Sequence, residues 1–304
     1  MNNFFEKQNE PLMLRLLAAQ RFIYSKVKIL LWWSFCLGVV VPSCLTFFFF
    51  ILSFIPGFTF PWLKSFLTVY GLGFLIINNF LLNYITTCKK QAAKIQEEYD
   101  TLLYDMPWNE IVAEKKVSVS DSDSPARSYL EKNGDSSLKN WYLNFPINVN
   151  SLIMRMLCQS KNLGWDARLK RKTSFIVTII MAINIALFSV SMLFANLEFL
   201  KFIAFVAIIM PIYQFYHRFV NENKKAAEKA DSLRVKVESA LQELVEKKVI
   251  ENEKLEKLTR SIQDQIFTYR ASGNPVPDYI HKYFRDSDEE TYDSIFNTYA
   301  LKLQ

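Results

Sequence analysis

Charged side chains vanish from four windows of this chain and crowd into the rest. None lies between Lys28 and Lys64, between Lys64 and Lys89, or between Lys172 and Glu198, and none from Phe202 to His217. An uncharged apolar run of about 20 residues spans a ~30 Å hydrocarbon core as a helix. Helix is also the form in which such a run satisfies its own backbone in lipid. The pattern predicts four transmembrane helices near residues 29–54, 63–87, 173–195 and 199–219. Glu198 and Lys201 fall at the outer end of the fourth, the least strongly marked of the set. Between the first two, SFIPGFTFPW places Pro56, Gly57 and Pro61 as breakers and predicts a turn. The first apolar run is far longer than a secretory h-region of ~7–15 residues, and no small-x-small cleavage site follows it. It is expected to remain in the protein.

Lysine and arginine fix the orientation. Of 36 such residues, only Lys64 and Lys201 fall in the two short hairpin loops. Lys7, Arg15, Arg21, Lys26 and Lys28 precede the first span, and Lys89, Lys90 and Lys94 follow the second. Arg168, Lys170, Arg171 and Lys172 precede the third, and Arg218, Lys224 and Lys225 follow the fourth. The positive-inside rule then puts both termini and the 89–172 segment in the cytoplasm. Phe58 and Trp62 would mark the outer interface, and Tyr213 and Tyr216 the inner one. The expected fold class is an all-α integral membrane protein, with two transmembrane hairpins and helical cytoplasmic regions. Its segments are a cytoplasmic amphipathic helix (1–28), a first hairpin (29–88), a helical linker domain (89–172), a second hairpin (173–219) and a C-terminal helical region (220–304).

The cytoplasmic segments carry helix punctuation. Asn9 is a candidate N-cap with Pro11 in the first turn, opening a helix expected to lie partly in the membrane interface. A helix should extend the second span through QAAKIQEEYDTLLYD and stop before Pro107. SVSDSDSPARS reads as polar and mobile, with a helix starting at Ser124-Pro125. Asn150 can cap NSLIMRMLCQSK, and Gly164 is expected to end that helix. Ala226, Ala230, Leu233, Val237, Ala240 and Leu244 follow coiled-coil spacing for about three heptads, which favours an antiparallel hairpin. Asn252 would cap its second arm, with Leu255, Leu258, Ile262 and Ile266 on one face. SDEE at 287–290 has the capping-box pattern for a last helix.

Composition removes whole classes of chemistry. The chain is 51% apolar with 26 phenylalanines, but has two histidines, four cysteines and seven glycines. His217 and His281 have no HExxH or CxxC near them, and GLG at 71–73 lies inside a span. SDSDS at 120–124 lacks the spaced ligands and distal glutamate of a calcium loop and reads as solvated linker. Cys36, Cys44, Cys88 and Cys158 fall in membrane or cytoplasm without metal-ligand spacing, so no structural disulfide is expected. No catalytic residues, metal site or resident cofactor are expected.

The informative polar residues sit in the spans. Asn79 and Asn83 are four apart and share a face, while Asn78 points about 100° away. Asn184 lies midway along the third span and Gln214 near the inner end of the fourth. Each could be interhelical glue, at ~0.6–2 kcal/mol per amide contact, or could face water in a pore built by several subunits. Asn79 and Asn83 are the sharper water-facing pair and Asn78 the better glue. No charge occupies a mid-span position, which argues against a proton-coupled carrier or voltage sensor. NLGWDARLKRK at 162–172 is the densest basic stretch. It reads either as an anchor to anionic headgroups or as an anion site, with Arg168 and Arg171 on phosphates and Trp165 as a stacking face. Trp165, Arg168 and Lys172 fall on neighbouring helical turns.

Four stretches in order, LLAAQRFIYSKVK, MPWNE at 106–110, NLGWDARLKRK and IQDQIFTYRASGNPVPDYIHKYFRDSDEE, resemble the SMODS-associated four-transmembrane family of pore-forming effectors. The resemblance covers most of the chain and implies a bacterial anti-phage system of the cyclic-oligonucleotide (CBASS) type. There a cognate nucleotidyltransferase makes a cyclic oligonucleotide after infection. An inner-membrane effector responds by arresting or killing the cell, which is abortive infection. The implied partners are the lipid bilayer, that small ligand rather than a nucleic acid polymer, and further copies of the chain. No separate nucleotide-sensing domain is recognisable, so the cytoplasmic helices are expected to bind the signal or a partner that does. The expected ligand set is Trp165, Arg168, Arg171 and Lys172, with Trp108 from MPWNE. At rest Asn78, Asn79 and Asn83 are expected to pair with Asn184 or each other. A membrane-anchored scaffold or sensor and a constitutive channel or transporter are the alternatives.

Overall fold

The computed structural model describes residues 4–52, 55, 61–142, 149–193, 199–247, 249 and 251–303, and these form helices joined by short connections with no strand among them. In order they are α1 (Phe4–Lys7), α2 (Pro11–Phe35), a π-helical segment (Cys36–Val40), α3 (Val41–Leu52), α4 (Pro61–Leu103), α5 (Glu110–Ala113), α6 (Val119–Asn133), α7 (Ser151–Leu193), α8 (Phe199–Lys247), α9 (Asn252–Ser272) and α10 (Asp278–Lys302).

The apolar windows prove to be the membrane halves of much longer rods. α4 and α7 have 43 residues each and α8 has 49, so at 1.5 Å per residue each runs roughly 65–75 Å. That is about twice the hydrocarbon core, and the other half of each rod projects into water. Three helical stretches among the described residues, Pro11–Phe48, Thr68–Leu103 and Ser151–Val190, are long and apolar enough to cross a membrane. Within the second, the apolar window ends at Cys88 and the helix turns charged from Lys89 onward. The fourth expected span opens α8, where most side chains before Val206 lie outside the described residues, as do those of Trp62, Lys64 and Lys201. The expected turn over SFIPGFTFPW, including Phe58, also falls almost wholly outside them.

Burial separates the two halves. Trp32, Trp33, Val69, Ile76, Phe80, Phe175 and Ile183 are exposed apolar side chains around the spans, as lipid contact requires. The fully buried large side chains belong mostly to the half beyond the apolar spans, among them Tyr99, Leu103, Leu138, Met154, Met156 and Leu241. That half holds the tightly packed core.

Several local expectations are corrected. The first half of α2 packs largely within the protein. Met13, Leu14, Leu17, Ala18, Ala19, Ile23 and Val27 are buried against α4 and α6, because apolar and small residues occupy more of its circumference than one interfacial stripe needs. Its N-cap is Glu10 rather than Asn9, since the Asn9 amide is held by Asn140, donating to its Oδ1 (2.8 Å) and accepting from its N–H (2.9 Å). The serine-aspartate stretch is helical. Ser118 accepts from the Asp121 N–H (3.2 Å) and starts α6 six residues before Pro125, which the helix absorbs.

Asn150 does cap α7, accepting from Leu152 N–H (2.8 Å). Gly164 does not end it. A helical glycine costs about 1 kcal/mol, and burial of the neighbouring Leu163 and Ala167 offsets it. α4 ends at Leu103, ahead of Pro107 as expected. α8, which carries the apolar row from Ala226 to Leu244, packs against α7 more than against α9, and it touches α9 as well. Glu251, not Asn252, is the N-cap of α9. The last helix starts nine residues before Ser287, with Pro277 at its N-cap position and Asp278 first in the helix, where a carboxylate faces the positive end of the helix dipole.

Candidate functional site

The span amides divide by face. Asn78 is 0% exposed. Its Oδ1 accepts from Ser34 Oγ (2.7 Å) and its Nδ2 donates to Gln214 Oε1 (3.0 Å), tying α2, α4 and α8 together. Asn78 is therefore interhelical glue, and Gln214 shares that role. Asn184 accepts from Ser43 Oγ of α3 and donates to the Ile180 carbonyl (2.8 Å). The expected pairing of Asn184 with the second span is replaced by this link to the first. Asn79 and Asn83 stay on the outside of α4, beside Ile76 (63% exposed) and Phe80 (71% exposed). Neither side chain has a hydrogen-bond partner among the described residues.

Below the Asn78 contact the spans enclose a cavity of about 10 Å³, from Ser34 at one end to Lys89, Glu222 and Asn274 at the other. Its floor is a polar latch. Lys89 is 3% exposed, and its ammonium donates to Glu222 Oε2 (3.1 Å), the Ser272 carbonyl (2.8 Å) and Asn274 Oδ1 (3.1 Å). Asn274 Nδ2 donates to Glu222 (3.0 Å), its N–H donates to Asn223 Oδ1 (3.2 Å), and its carbonyl accepts from Lys170 (3.0 Å). The turn between α9 and α10 is thus fastened to the middles of α4, α7 and α8, where their apolar stretches give way to charged ones. Gly273 makes that approach possible, because a Cβ there would lie 3.0 Å from the Tyr269 carbonyl and 3.1 Å from Lys170 Nζ.

A second buried network joins α4 to α9. Glu97 accepts from Arg260 (2.7 Å) and from Gln263 (2.8 Å), and Gln263 also donates to Asp100 (3.0 Å). Arg270 donates to Asp100 (2.5 Å), and Gln159 of α7 donates to Gln263 Oε1 (3.1 Å). Burial pushes the Glu97 carboxyl up to about 7 despite Arg260 and Gln263. Arg260 reaches the Pro107 carbonyl (3.0 Å) and Asn109 reaches Asp264 (3.0 Å). MPWNE and IQDQIFTYR, far apart in sequence, therefore meet. The sequence alone does not single out Glu97, Asp100, Arg260, Gln263 and Arg270, because polar and charged residues on amphipathic helices ordinarily mark solvated faces. The available signal was acids at 97 and 100 on a helix whose neighbours Ala93, Ile95 and Tyr99 are apolar.

The basic stretch lies within α7, and each group with a described partner faces inward to this chain. Trp165 stacks on His281 (5.6 Å between ring centroids), Lys172 Nζ sits 3.4 Å from the Phe284 ring centroid, and Arg171 pairs with Asp231 of α8. Arg168 is half-buried on the same helix. Trp108 is not brought to them. It packs against Ala93, Ala113 and Phe267, donates to the Glu114 carbonyl (2.8 Å) and carries Lys116 over its ring. Among the described residues no group of three or more His, Cys, Asp or Glu side chains could hold a metal ion, and all four cysteines are free thiols.

A family model described as the SMODS-associating 4TM effector domain matches residues 2–298. A Bacillus cereus (strain VD146) protein named as a probable CBASS effector molecule is 26% identical over 307 residues, covering 94% of each chain. No solved structure matches.

Proposed function

The chain belongs to the SMODS-associating 4TM effector family, and we propose that it is the membrane effector of a bacterial CBASS anti-phage system. In this reading subunits associate in the cytoplasmic membrane on a cyclic-oligonucleotide signal, open it to ions and so abort infection. Both termini face the cytoplasm, as the lysine and arginine distribution requires.

The observation that carries the reading is the pair of exposed amides, Asn79 and Asn83, set among lipid-facing apolar side chains on α4. An amide without a partner in hydrocarbon is costly, whereas an amide contact across helices gains ~0.6–2 kcal/mol. A second copy of the same face, or water enclosed by several copies, removes that cost. Asn78, Gln214 and Ser34 meanwhile keep each chain's own interior closed. A ligand that engages Trp165, Arg168, Arg171 and Lys172 would have to displace the contacts of α8 and α10 on Trp165, Arg171 and Lys172, which offers a route from binding to rearrangement.

Dye release from liposomes holding the full chain, challenged with cyclic di- and trinucleotides, tests the reading. Release is expected with a cognate nucleotide and is lost in the Asn79→Leu/Asn83→Leu variant, which still inserts. Release by that variant equal to wild type would refute the role given to this face. No release with any nucleotide, together with capture of a protein partner, would make the chain a scaffold. Release without nucleotide would make it a constitutive channel.

A further inference from the structure

Two rows of side chains run along α8 as it leaves the membrane. Gln214, Arg218 and Glu222 form one, each four residues from the next. All three are committed within the chain. Gln214 holds Asn78, Arg218 Nε pairs with Glu222 Oε1 (3.3 Å), and Glu222 Oε2 is held by Lys89 and Asn274. The adjoining row is Tyr213, His217, Asn221 and Lys225, again at steps of four. Together the rows line a groove of about 450 Å³, closed on one side by Leu75 of α4.

The outer row is rich in donors and poor in partners. The rings of Tyr213 and His217 pack tilted against each other (5.8 Å between centroids), and both are exposed. Asn221 and Lys225 have no hydrogen-bond or ion-pair partner among the described residues. A phenol, an imidazole, an amide and an ammonium thus point into one open groove, spaced ~6 Å apart along the helix. Glu222 is the groove's one acid, and its two oxygens are already shared among Arg218, Lys89 and Asn274.

We infer that this groove is a binding site for a phosphate-bearing ligand, whose anionic oxygens meet Lys225, His217 and Asn221. The groove straddles the inner interface, so its phosphate comes either from a lipid headgroup or from a soluble phosphodiester. An anion there also competes with Glu222 for Arg218. Glu222 belongs to the latch, so occupancy of the groove is felt directly at Lys89 and at the turn after α9. This deepens the effector reading by giving its ligand a place, and rests on that reading only for the consequence. Binding and leakage are measured separately, so either can fail alone.

The test uses the full chain in phosphatidylcholine nanodiscs. One arm titrates cyclic di- and trinucleotides by calorimetry. The other measures phosphatidylglycerol retained against phosphatidylcholine by native mass spectrometry. The His217→Gln/Lys225→Gln variant should lose about tenfold or more in one arm, which then names the phosphate's source. Lys225→Gln alone should lose less in that arm, and the distant surface change Lys132→Gln should lose nothing. Wild-type binding by the double variant in both arms would overturn the inference, as would the absence of binding by the wild type in both.

Discussion

Replacing Lys89 by methionine removes the ammonium of the latch while keeping most of the side chain's volume. Three acceptors lose their donor: Glu222 Oε2, the Ser272 carbonyl and Asn274 Oδ1. Glu222 is the least affected, because Arg218 (3.3 Å) and Asn274 Nδ2 (3.0 Å) still reach it. The other two are buried hydrogen bonds to a charged donor, worth ~1.5–3 kcal/mol each. Against their sum stands relief from burying an ammonium, which returns a few kcal/mol. A net loss of about 2–3 kcal/mol remains, and it falls on the turn rather than on the whole fold. Opening of the turn should become roughly 30- to 150-fold more frequent. Hydrogen exchange of peptides covering 269–276 in nanodiscs reads this directly, and exchange in α6 should not change. Lys90→Met is the control, since Lys90 pairs with Glu114 at the surface (2.6 Å) and such pairs contribute little. Unaltered exchange over 269–276 in Lys89→Met, or an equal effect of Lys90→Met, would refute the claim that Lys89 fastens the turn.

Three further outcomes are expected. Burial raises the Glu97 carboxyl from 4.5 to about 7, so its contribution to stability is full below 4.5 and is lost as the pH rises through about 7. The slope is at most ~1.4 kcal/mol per pH unit, and melting curves of Glu97→Gln across that window should have lost it. Arg270→Ala leaves Asp100, itself 2% exposed, without its cation, and should cost about 3–5 kcal/mol in a detergent unfolding experiment. Gly38→Ala would place a Cβ 2.7 Å from Phe74 Cε1, so the ring must move, and a loss of ~1–3 kcal/mol is expected.

The apolar spans found among the described residues were readable because lipid enforces one rule, the absence of charge, over whole windows of sequence. The extent of the rods was not. Gly164 is a local breaker, and burial of its neighbours Leu163 and Ala167 outweighed a local penalty of about 1 kcal/mol. Ser118 and Asp121 did carry a cap signature, three residues apart, but it was masked by the serine and aspartate repeats around it. Asn78 could be separated from Asn79 and Asn83 by helical angle alone, and the burial of one and exposure of the other two follow that division. The ligand set assembled around Trp165 is less coherent. Angle and spacing say which residues share a helix face, but not that His281, Phe284 and Asp231 come from elsewhere to occupy it, nor that Trp108 lies in another cluster. The latch was invisible for the same reason. Lys89 looks like one of many inside lysines, and only the fold returns Ser272 and Asn274 to it.

The π-helical segment of the first span has an angular consequence. Ser34 and Ser43 are nine residues apart, which in an unbroken α-helix sets them about 180° from each other. One of the two hydroxyls would then point into lipid. A π-turn takes up about one extra residue, which reduces the separation to roughly 80°. That lets Ser34 meet Asn78 on α4 while Ser43 meets Asn184 on α7. The segment Cys36–Val40 therefore works as a phase shift between the two leaflets. Its length, rather than the identity of its side chains, decides whether the outer half of the helix is in step with the inner half.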